Sequence, residues 1–247
     1  YNCSVFNSFI ISQKLIMTEY FRLSRSHYYS LIIISPIAVI YSVMGYFINW
    51  NTAYKLRNGA DVLIRLFFQF FGKYAETFYI ISLNLVIISI ILYHKREFSD
   101  SIKLPVLSIM ILEGMFWAFC LFLIFIFASQ LLSVPTSFST FEQFYLSLGA
   151  GIYEEIVFRF LLISILLFIS HKLFGSGKVF SLMFSIVLSS IFFSIFHYIG
   201  VYGDVFSWQS FLYRFSAGCF LAILYLTRGL GVAVYSHVYY DILISSL

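Results

Sequence analysis

Long runs of apolar residues recur along nearly the whole chain and are separated by short polar stretches. A hydrocarbon core of about 30 Å needs roughly 20 predominantly apolar residues per helix. Windows of that kind lie near 29–49, 76–93, 105–133, 144–170, 179–200, 208–227 and 230–246. The pattern predicts an all-α, polytopic membrane helix bundle of about seven transmembrane helices, within a range of six to eight.

The composition supports the same class. Of the 247 residues, 61% are hydrophobic and 11% are charged, whereas a soluble domain has about 45–50% apolar and about 25% charged residues. These figures exclude a soluble globular protein and a disordered one. The apolar residues do not alternate with polar ones, which argues against a transmembrane barrel. We therefore expect a multi-pass integral membrane protein with the lipid bilayer as a partner, placed in the plasma (inner) membrane if the cell is prokaryotic.

Two stretches mix apolar and basic side chains, namely residues 1–28 and 60–72. Such a mixture is typical of helices that lie in the plane of the membrane interface. No repeat or linker divides the rest of the chain, so we expect an N-terminal interfacial segment, 1–28, and a single integral membrane domain, 29–247. No leader-like segment precedes the first apolar run, so we expect the spans themselves to direct membrane insertion. Basic residues outside the spans favour an inside N-terminus by nine to four.

Charge and cysteine content exclude other classes of site. The formal net charge is +4, from 15 basic and 11 acidic residues spread along the chain. No basic run is dense enough to follow a nucleic-acid backbone, so nucleic acid is not an expected partner. Cys3, Cys120 and Cys219 lack paired spacing, so they indicate neither a disulfide framework nor a cysteine-ligated zinc site.

The fourth apolar window contains three ionisable residues, Glu154, Glu155 and Arg159. Each charged side chain at mid-bilayer costs about 2.5 kcal/mol or more on insertion scales, so each needs a compensating partner or function. Glu155 and Arg159 are spaced i,i+4 in the favourable order for an ion pair. Glu154 lies about 100° further round an α-helix and has no such partner. Glu154 is therefore either free for chemistry or bonded to a neighbouring helix.

Two further windows contain a histidine spaced i,i+4 from an aromatic or acidic residue. The fifth carries Phe193 and His197, and the seventh carries His237 and Asp241. An acid and an imidazole in such a pair can orient the ring for catalysis or metal binding, or form a structural hydrogen bond. With the glutamates of the fourth window, these groups can activate water.

Glu113 and Arg214 stand alone in the third and sixth windows. We expect these two side chains to pair with each other across the bundle rather than to take part in catalysis.

The three motifs follow one another in the fourth, fifth and seventh windows as Glu154-Glu155-x-x-x-Arg159, Phe193-x-x-x-His197 and His237-x-x-x-Asp241. This set resembles the CPBP family of intramembrane proteases, which includes the type II CAAX prenyl endopeptidases and bacteriocin-processing or immunity proteins. The resemblance covers residues 144–247, the expected protease-like core. The last position is Asn in the prenyl endopeptidases and Asn or Asp more widely, so Asp241 departs from that subgroup and weakens the case for a prenylated substrate.

The resemblance implies a buried cavity, open to one side of the membrane, in which a glutamate and a histidine activate water for peptide-bond hydrolysis. The substrate would be a membrane-associated, prenylated or leader-type peptide. The resemblance implies that Glu154 is the general base and His197 its partner. It implies that His237 and Asp241 stabilise the oxyanion and that Glu155 and Arg159 are supporting residues. Both a metal-free glutamate mechanism and a zinc mechanism have been proposed for the family. Two imidazoles and one carboxylate also suit an open three-ligand zinc site, so zinc held by Glu154, His197 and His237 is the one cofactor to consider.

Other functions fit the sequence less well. An aspartyl intramembrane protease would need a second helix aspartate, but Asp204 falls in a predicted loop and its Gly-x-Gly-Asp motif is incomplete. The chain has no His-Glu-x-x-His motif and no serine nucleophile in a suitable span. A proton-coupled transporter would show duplicated halves, and none is evident. A non-catalytic immunity or scaffold protein of the same fold remains the main alternative.

Overall fold

The computed structural model describes residues 17–48, 56–75, 102–125, 138–200 and 203–246, together with positions 77–79, 81–82, 85, 88–89 and 92. Seven helices are numbered here. They are α1 (His27–Ile48), α2 (Gly59–Gln69), α3 (Leu104–Phe125), α4 (which begins at Thr140–Gly149), α5 (Lys178–Phe196), α6 (Trp208–Arg228) and α7 (Leu230–Ser245). A short 3₁₀ turn follows α2 at Gly72–Tyr74.

The described residues form an all-helical membrane bundle, as the apolar windows predict. Four helices, α1, α3, α5 and α6, are long and apolar enough to cross a membrane. The predicted window 76–93 falls largely outside the described residues, although its described positions are helical. The window 105–133 is described as helix only to Phe125. The window 179–200 is too long, because α5 ends at Phe196 and a turn follows.

Helix α7 lies at the centre of the bundle and packs against α1, α3, α4 and α6. Every residue from Leu230 to Val238 is buried. Small residues allow neighbouring helices to approach it closely. A Cβ atom on Gly114 of α3 would lie 2.6 Å from the Tyr235 side chain. A polar residue between Leu230 and Val238 therefore faces protein on all sides and needs a partner from another helix.

Helix α4 changes its winding along its length. After Thr140–Gly149 it continues as a π-helix over Ala150–Ile163, returns to α over Ser164–Leu167 and widens again over Phe168–Leu173. A π-helix bonds i to i+5, is rare, and frequently occurs at functional sites. More residues per turn means that neighbouring side chains are separated by less than the 100° of an α-helix.

The two stretches predicted to lie in the interface have different packing. Helix α2, in the stretch 60–72, buries Ala60 and Asp61 but exposes Leu63 and Phe67, as an interfacial helix would. In the N-terminal stretch 1–28, residues 1–16 lie outside the described part and residues 17–24 are helical, with Leu23 and Ser24 buried.

The predicted pair between Glu113 and Arg214 is wrong. Glu113 Oε2 lies 2.7 Å from Arg228 Nη2, and Arg214 pairs with Asp204. Arg228 is at the C-terminal end of α6 and reaches α3, whereas Arg214 is near the beginning of α6 and faces the loop that precedes it. The sequence shows that Glu113 and Arg214 lie in apolar windows, but it does not specify at which end of the bundle each side chain lies.

Candidate active site

The wide segment of α4 supplies three buried ionisable side chains. Glu155 is 0% exposed, Arg159 is 1% exposed and Glu154 is 5% exposed. Gly151 explains how this segment comes so close to α7. A Cβ atom there would lie 2.3 Å from Val238 Cγ2 and 2.9 Å from the Val238 backbone nitrogen. A glycine is required at this contact, and the close approach sets the glutamates beside His237.

His197 follows directly after the last residue of α5 and is held by its own helix. Its Nδ1 lies 2.8 Å from the backbone carbonyl of Phe193. A carbonyl oxygen only accepts hydrogen bonds, so Nδ1 carries the hydrogen. The turn after the helix is fixed by a bond from the Asp204 N–H to the His197 carbonyl, at 2.9 Å. The Nε2 atom of His197 is therefore directed at Glu154 Oε2, 3.9 Å away.

His237 is held between two carboxylates. Its Nδ1 lies 2.8 Å from Glu155 Oε1, so a hydrogen on Nδ1 is donated to that carboxylate. Its Nε2 lies 3.7 Å from Asp241 Oδ2 and 3.9 Å from Glu154 Oε2. The ring is thus oriented by Glu155, a contact across 82 positions of the chain that the local spacing of the motifs does not reveal.

The central feature of the site is one oxygen atom facing two imidazoles. Glu154 Oε2 is buried, has no hydrogen-bond partner among the described residues, and lies 3.9 Å from Nε2 of both His197 and His237. Two polar atoms at that separation can each bond the same water at about 2.8 Å. The arrangement is suited to hold and polarise a water molecule.

Arg159 and Phe193 complete the inner part of the site. Arg159 Nη1 lies 3.1 Å from Glu155 Oε1, so the predicted i,i+4 ion pair is present, although the angle is not that of a hydrogen bond. The guanidinium group lies over the Phe193 ring, 4.2 Å from its centroid, and that ring also contacts His197 at 4.9 Å. One aromatic side chain thus links the cation to the imidazole.

The structure brings the six predicted site residues into one cluster, and it adds a seventh. Asn58 Nδ2 donates to Glu154 Oε1 at 2.9 Å. Asn58 lies just before α2 and caps its N-terminus. An Asn directly before an amphipathic stretch is a capping signal that the sequence contains. Its contact with Glu154 spans 96 positions and has no local signal.

The donor set suits zinc chemically, but its spacing does not. Ligand atoms at about 2.0–2.2 Å from a tetrahedral zinc ion lie about 3.4 Å from one another. The two Glu154–imidazole separations are 3.9 Å each. Among the residues that the structure describes, no group of three or more His, Cys, Asp or Glu side chains is placed to hold a metal ion. The zinc alternative and the description as a metalloprotease therefore gain no support here.

Comparison with known proteins agrees with the resemblance. Residues 136–243 match the family model described as "Type II CAAX prenyl endopeptidase Rce1-like", which confirms the resemblance to the CPBP family. The match begins just before α4 and ends within α7, so it includes all six predicted site residues. It supports a CAAX-type intramembrane protease in general. No curated protein and no solved structure gave a significant match to the chain.

Proposed function

We propose, from the match of residues 136–243 to the family model described as type II CAAX prenyl endopeptidase Rce1-like, that this chain hydrolyses a peptide bond of a membrane-associated peptide. Water activated by Glu154 is the nucleophile. The observation that carries the proposal is the position of Glu154 Oε2, which is buried and equally distant, at 3.9 Å, from Nε2 of His197 and of His237.

The two imidazoles must have different protonation states if one water is to bond both rings and Glu154. With Nδ1 protonated in both rings, each neutral ring presents an accepting Nε2, and the ionised Glu154 presents a third acceptor. One water has only two hydrogens and cannot donate to all three. One ring therefore carries an additional proton. His237 is the favoured ring because it lies between the carboxylates of Glu155 and Asp241, which stabilise a positive charge.

Hydrolysis then proceeds by general base catalysis. Glu154 Oε2 removes a proton from the water, while His197 Nε2 accepts a hydrogen bond from the other O–H group and orients the molecule. The hydroxide attacks the peptide carbonyl, and the oxygen of the tetrahedral intermediate accepts a hydrogen bond from protonated His237 Nε2. The carbon–nitrogen bond breaks as Glu154 returns the proton to the leaving amine. The products are a carboxylic acid and an amine, and transfer of the acid's proton to the amine gives a carboxylate and an ammonium group.

The supporting residues act through His237. Glu155 holds the ring by Nδ1, Arg159 balances the charge of Glu155, and Asp241 lies on the other side of the ring. Asp241 cannot donate a hydrogen bond when ionised. In this mechanism its contribution is to favour the charged ring, and the donor to the oxyanion is His237 alone.

The substrate class is a peptide anchored at the membrane, either prenylated near its C-terminus or of the leader type. The site is enclosed by helices of the membrane bundle, which favours a substrate that is held at the bilayer. Both kinds of peptide are included in the test because Asp241 departs from the pattern of the prenyl endopeptidases.

Cleavage by the purified protein in lipid vesicles tests the proposal. Three fluorogenic peptides would be compared: a farnesylated C-terminal peptide, the same peptide without the lipid, and a membrane-anchored leader-type peptide. We expect cleavage of at least one anchored peptide at a single bond, and loss of that activity in Glu154→Gln. Equal cleavage by wild type and Glu154→Gln would contradict the proposal, as would no cleavage of any anchored peptide by folded wild-type protein.

A further inference from the structure

We propose that Asn58 is a positioning residue for the catalytic carboxylate, and this inference rests on the proposed function. Its side-chain amide holds Oε1 of Glu154 and thereby leaves Oε2 as the atom that accepts the proton from water. The two oxygens of one carboxylate thus have different tasks.

The orientation of the Asn58 amide follows from its other partner. Asn58 Oδ1 lies 2.8 Å from the backbone nitrogen of Ala60. That N–H group can only donate, so the side-chain oxygen must face it. The NH₂ group then faces Glu154 Oε1, at 2.9 Å. Capping of α2 therefore fixes which end of the amide the carboxylate meets.

Helix α2 is tied to the bundle by the contacts of Asp61. Asp61, in its first turn, is 0% exposed and has three partners: Arg57 at 3.1 Å, Arg65 at 2.8 Å and the Tyr41 hydroxyl at 3.1 Å. Tyr41 belongs to α1, and its ring stacks on Tyr145 of α4 with centroids 4.5 Å apart. The position of Asn58 is thus coupled to α1 and to the helix that carries Glu154.

Gly149 makes the contact between α2 and α4 possible. A Cβ atom at this position would lie 2.6 Å from Tyr41 Cε2 and 2.9 Å from Asn58 Cβ. The side chain of Asn58 therefore meets α4 less than two turns before Glu154, where a larger residue would push it away. The close approach between Asn58 and α4 therefore depends on the glycine at position 149.

The chemical effect of this contact is to make the two oxygens of Glu154 unequal. Oε1 accepts a hydrogen bond from a neutral amide, whereas Oε2 has no partner among the described residues. A carboxylate with one oxygen held cannot rotate freely about its terminal torsion, so Oε2 stays directed at the two imidazoles. General base catalysis requires this kind of placement within hydrogen-bond reach of the water.

Two substitutions separate the positioning role from the capping role. Ser and Asp are both good N-cap residues, so Asn58→Ser and Asn58→Asp keep the cap of α2 but remove the amide donor. For Asn58→Ser we expect kcat to fall about tenfold to a hundredfold with KM within about twofold, since only orientation of the base is lost. For Asn58→Asp we expect a larger fall, and the acidic limb of the pH–kcat profile should move to higher pH, because a second carboxylate faces Glu154.

Ser139→Ala is the matched control, because Ser139 caps α4 far from the site. It should lower the melting temperature while kcat stays at the wild-type value. A kcat and pH profile for Asn58→Ser that equal those of wild type would overturn the inference. The same conclusion follows if Asn58→Ser and Ser139→Ala reduce kcat equally.

A stability cycle keeps the inference testable if the proposed function fails. Melting temperatures of wild type, Asn58→Ser, Glu154→Ala and the double variant do not depend on catalysis. We expect the shifts to be non-additive by about 2 °C or more, because the two side chains share one hydrogen bond. If wild type cleaves nothing, the protease proposal fails while a non-additive cycle still supports the contact. An additive cycle overturns the inference whether or not the protein is active.

Discussion

His197 and His237 both face Glu154 Oε2, but their surroundings differ. The His197 side chain is 26% exposed and bonds the carbonyl of its own helix. The His237 side chain is 6% exposed and bonds Glu155 on another helix. Local sequence allows both to be predicted as site residues. In the proposed mechanism, the three-dimensional contacts give His197 a role in catalysis alone and His237 a role in both catalysis and packing.

Alanine at each of the two positions tests this difference. We expect kcat to fall steeply in both His197→Ala and His237→Ala. The unfolding free energy should change little in His197→Ala. In His237→Ala it should fall by about 1.5–3 kcal/mol, because a hydrogen bond to a buried carboxylate is lost. Chemical denaturation in detergent measures the stabilities, and equal losses in the two variants would contradict the assignment.

Arg159 has a structural task that its position in a motif does not distinguish from catalysis. It balances the charge of Glu155, which is fully buried. We expect Arg159→Ala to lower the unfolding free energy by about 3–5 kcal/mol, because it leaves a buried carboxylate without its cation. Lys172→Ala, which removes an exposed cation from the end of α4, should change it by no more than about 0.5 kcal/mol. Similar stabilities of the two variants would show that Arg159 is not required for packing.

The pairs within one helix could be predicted from the sequence because their geometry is local. Glu155 and Arg159 pair as the i,i+4 rule requires, and Phe193 contacts His197. The contacts of Glu154 with Asn58, and of Glu155 with His237, span 96 and 82 positions. They depend on how helices approach one another, which no spacing in the sequence specifies.

At the level of elements, the contact between α4 and α7 depends on a glycine. Helix propensity alone predicts that Gly151→Ala stabilises the protein by about 0.8–1.0 kcal/mol. The clash with Val238 reverses this sign, so we expect a net loss of about 1–3 kcal/mol together with lower kcat. Gly177→Ala, where a Cβ atom meets nothing within 4 Å, should cost at most about 1 kcal/mol and leave kcat unchanged. A stabilised and fully active Gly151→Ala protein would contradict the packing described.

The beginning of α4 is closed by a capping box between Ser139 and Glu142. Bonds from the Ser139 backbone N–H and from its hydroxyl lower the pKa of the Glu142 carboxyl below its ordinary value. A lowered pKa stabilises the folded state above the ordinary range of Glu, and this stabilisation disappears as pH falls through the folded-state pKa.

The pH dependence of the cap can be measured against Glu142→Gln, because Gln can form the same capping box without the charge. We expect wild type to melt at a higher temperature than Glu142→Gln near pH 7. The difference should decrease as the pH falls below about 4. Melting curves in detergent from pH 7 to pH 3 measure it. A constant difference over that range would show that the charge of Glu142 does not contribute.

At the scale of the whole molecule, the apolar windows predicted the membrane class and most helix positions, because the cost of exposing backbone and charge to lipid acts on every residue of a span. Two features were not predictable in this way. The widening of α4 does not alter its apolar pattern, and the partners of Glu113 and Arg214 depend on which ends of helices meet. The match to a known family covers only residues 136–243, and Asn58 lies outside that part.

The central claim is that Glu154, His197 and His237 surround a common water-binding position. An experimental structure of the protein in lipid, at a resolution that shows ordered water, tests it most directly. We expect water density within about 3.2 Å of Glu154 Oε2 and of both Nε2 atoms. A Glu154 carboxylate turned away from both imidazoles, with no shared density between them, would contradict it.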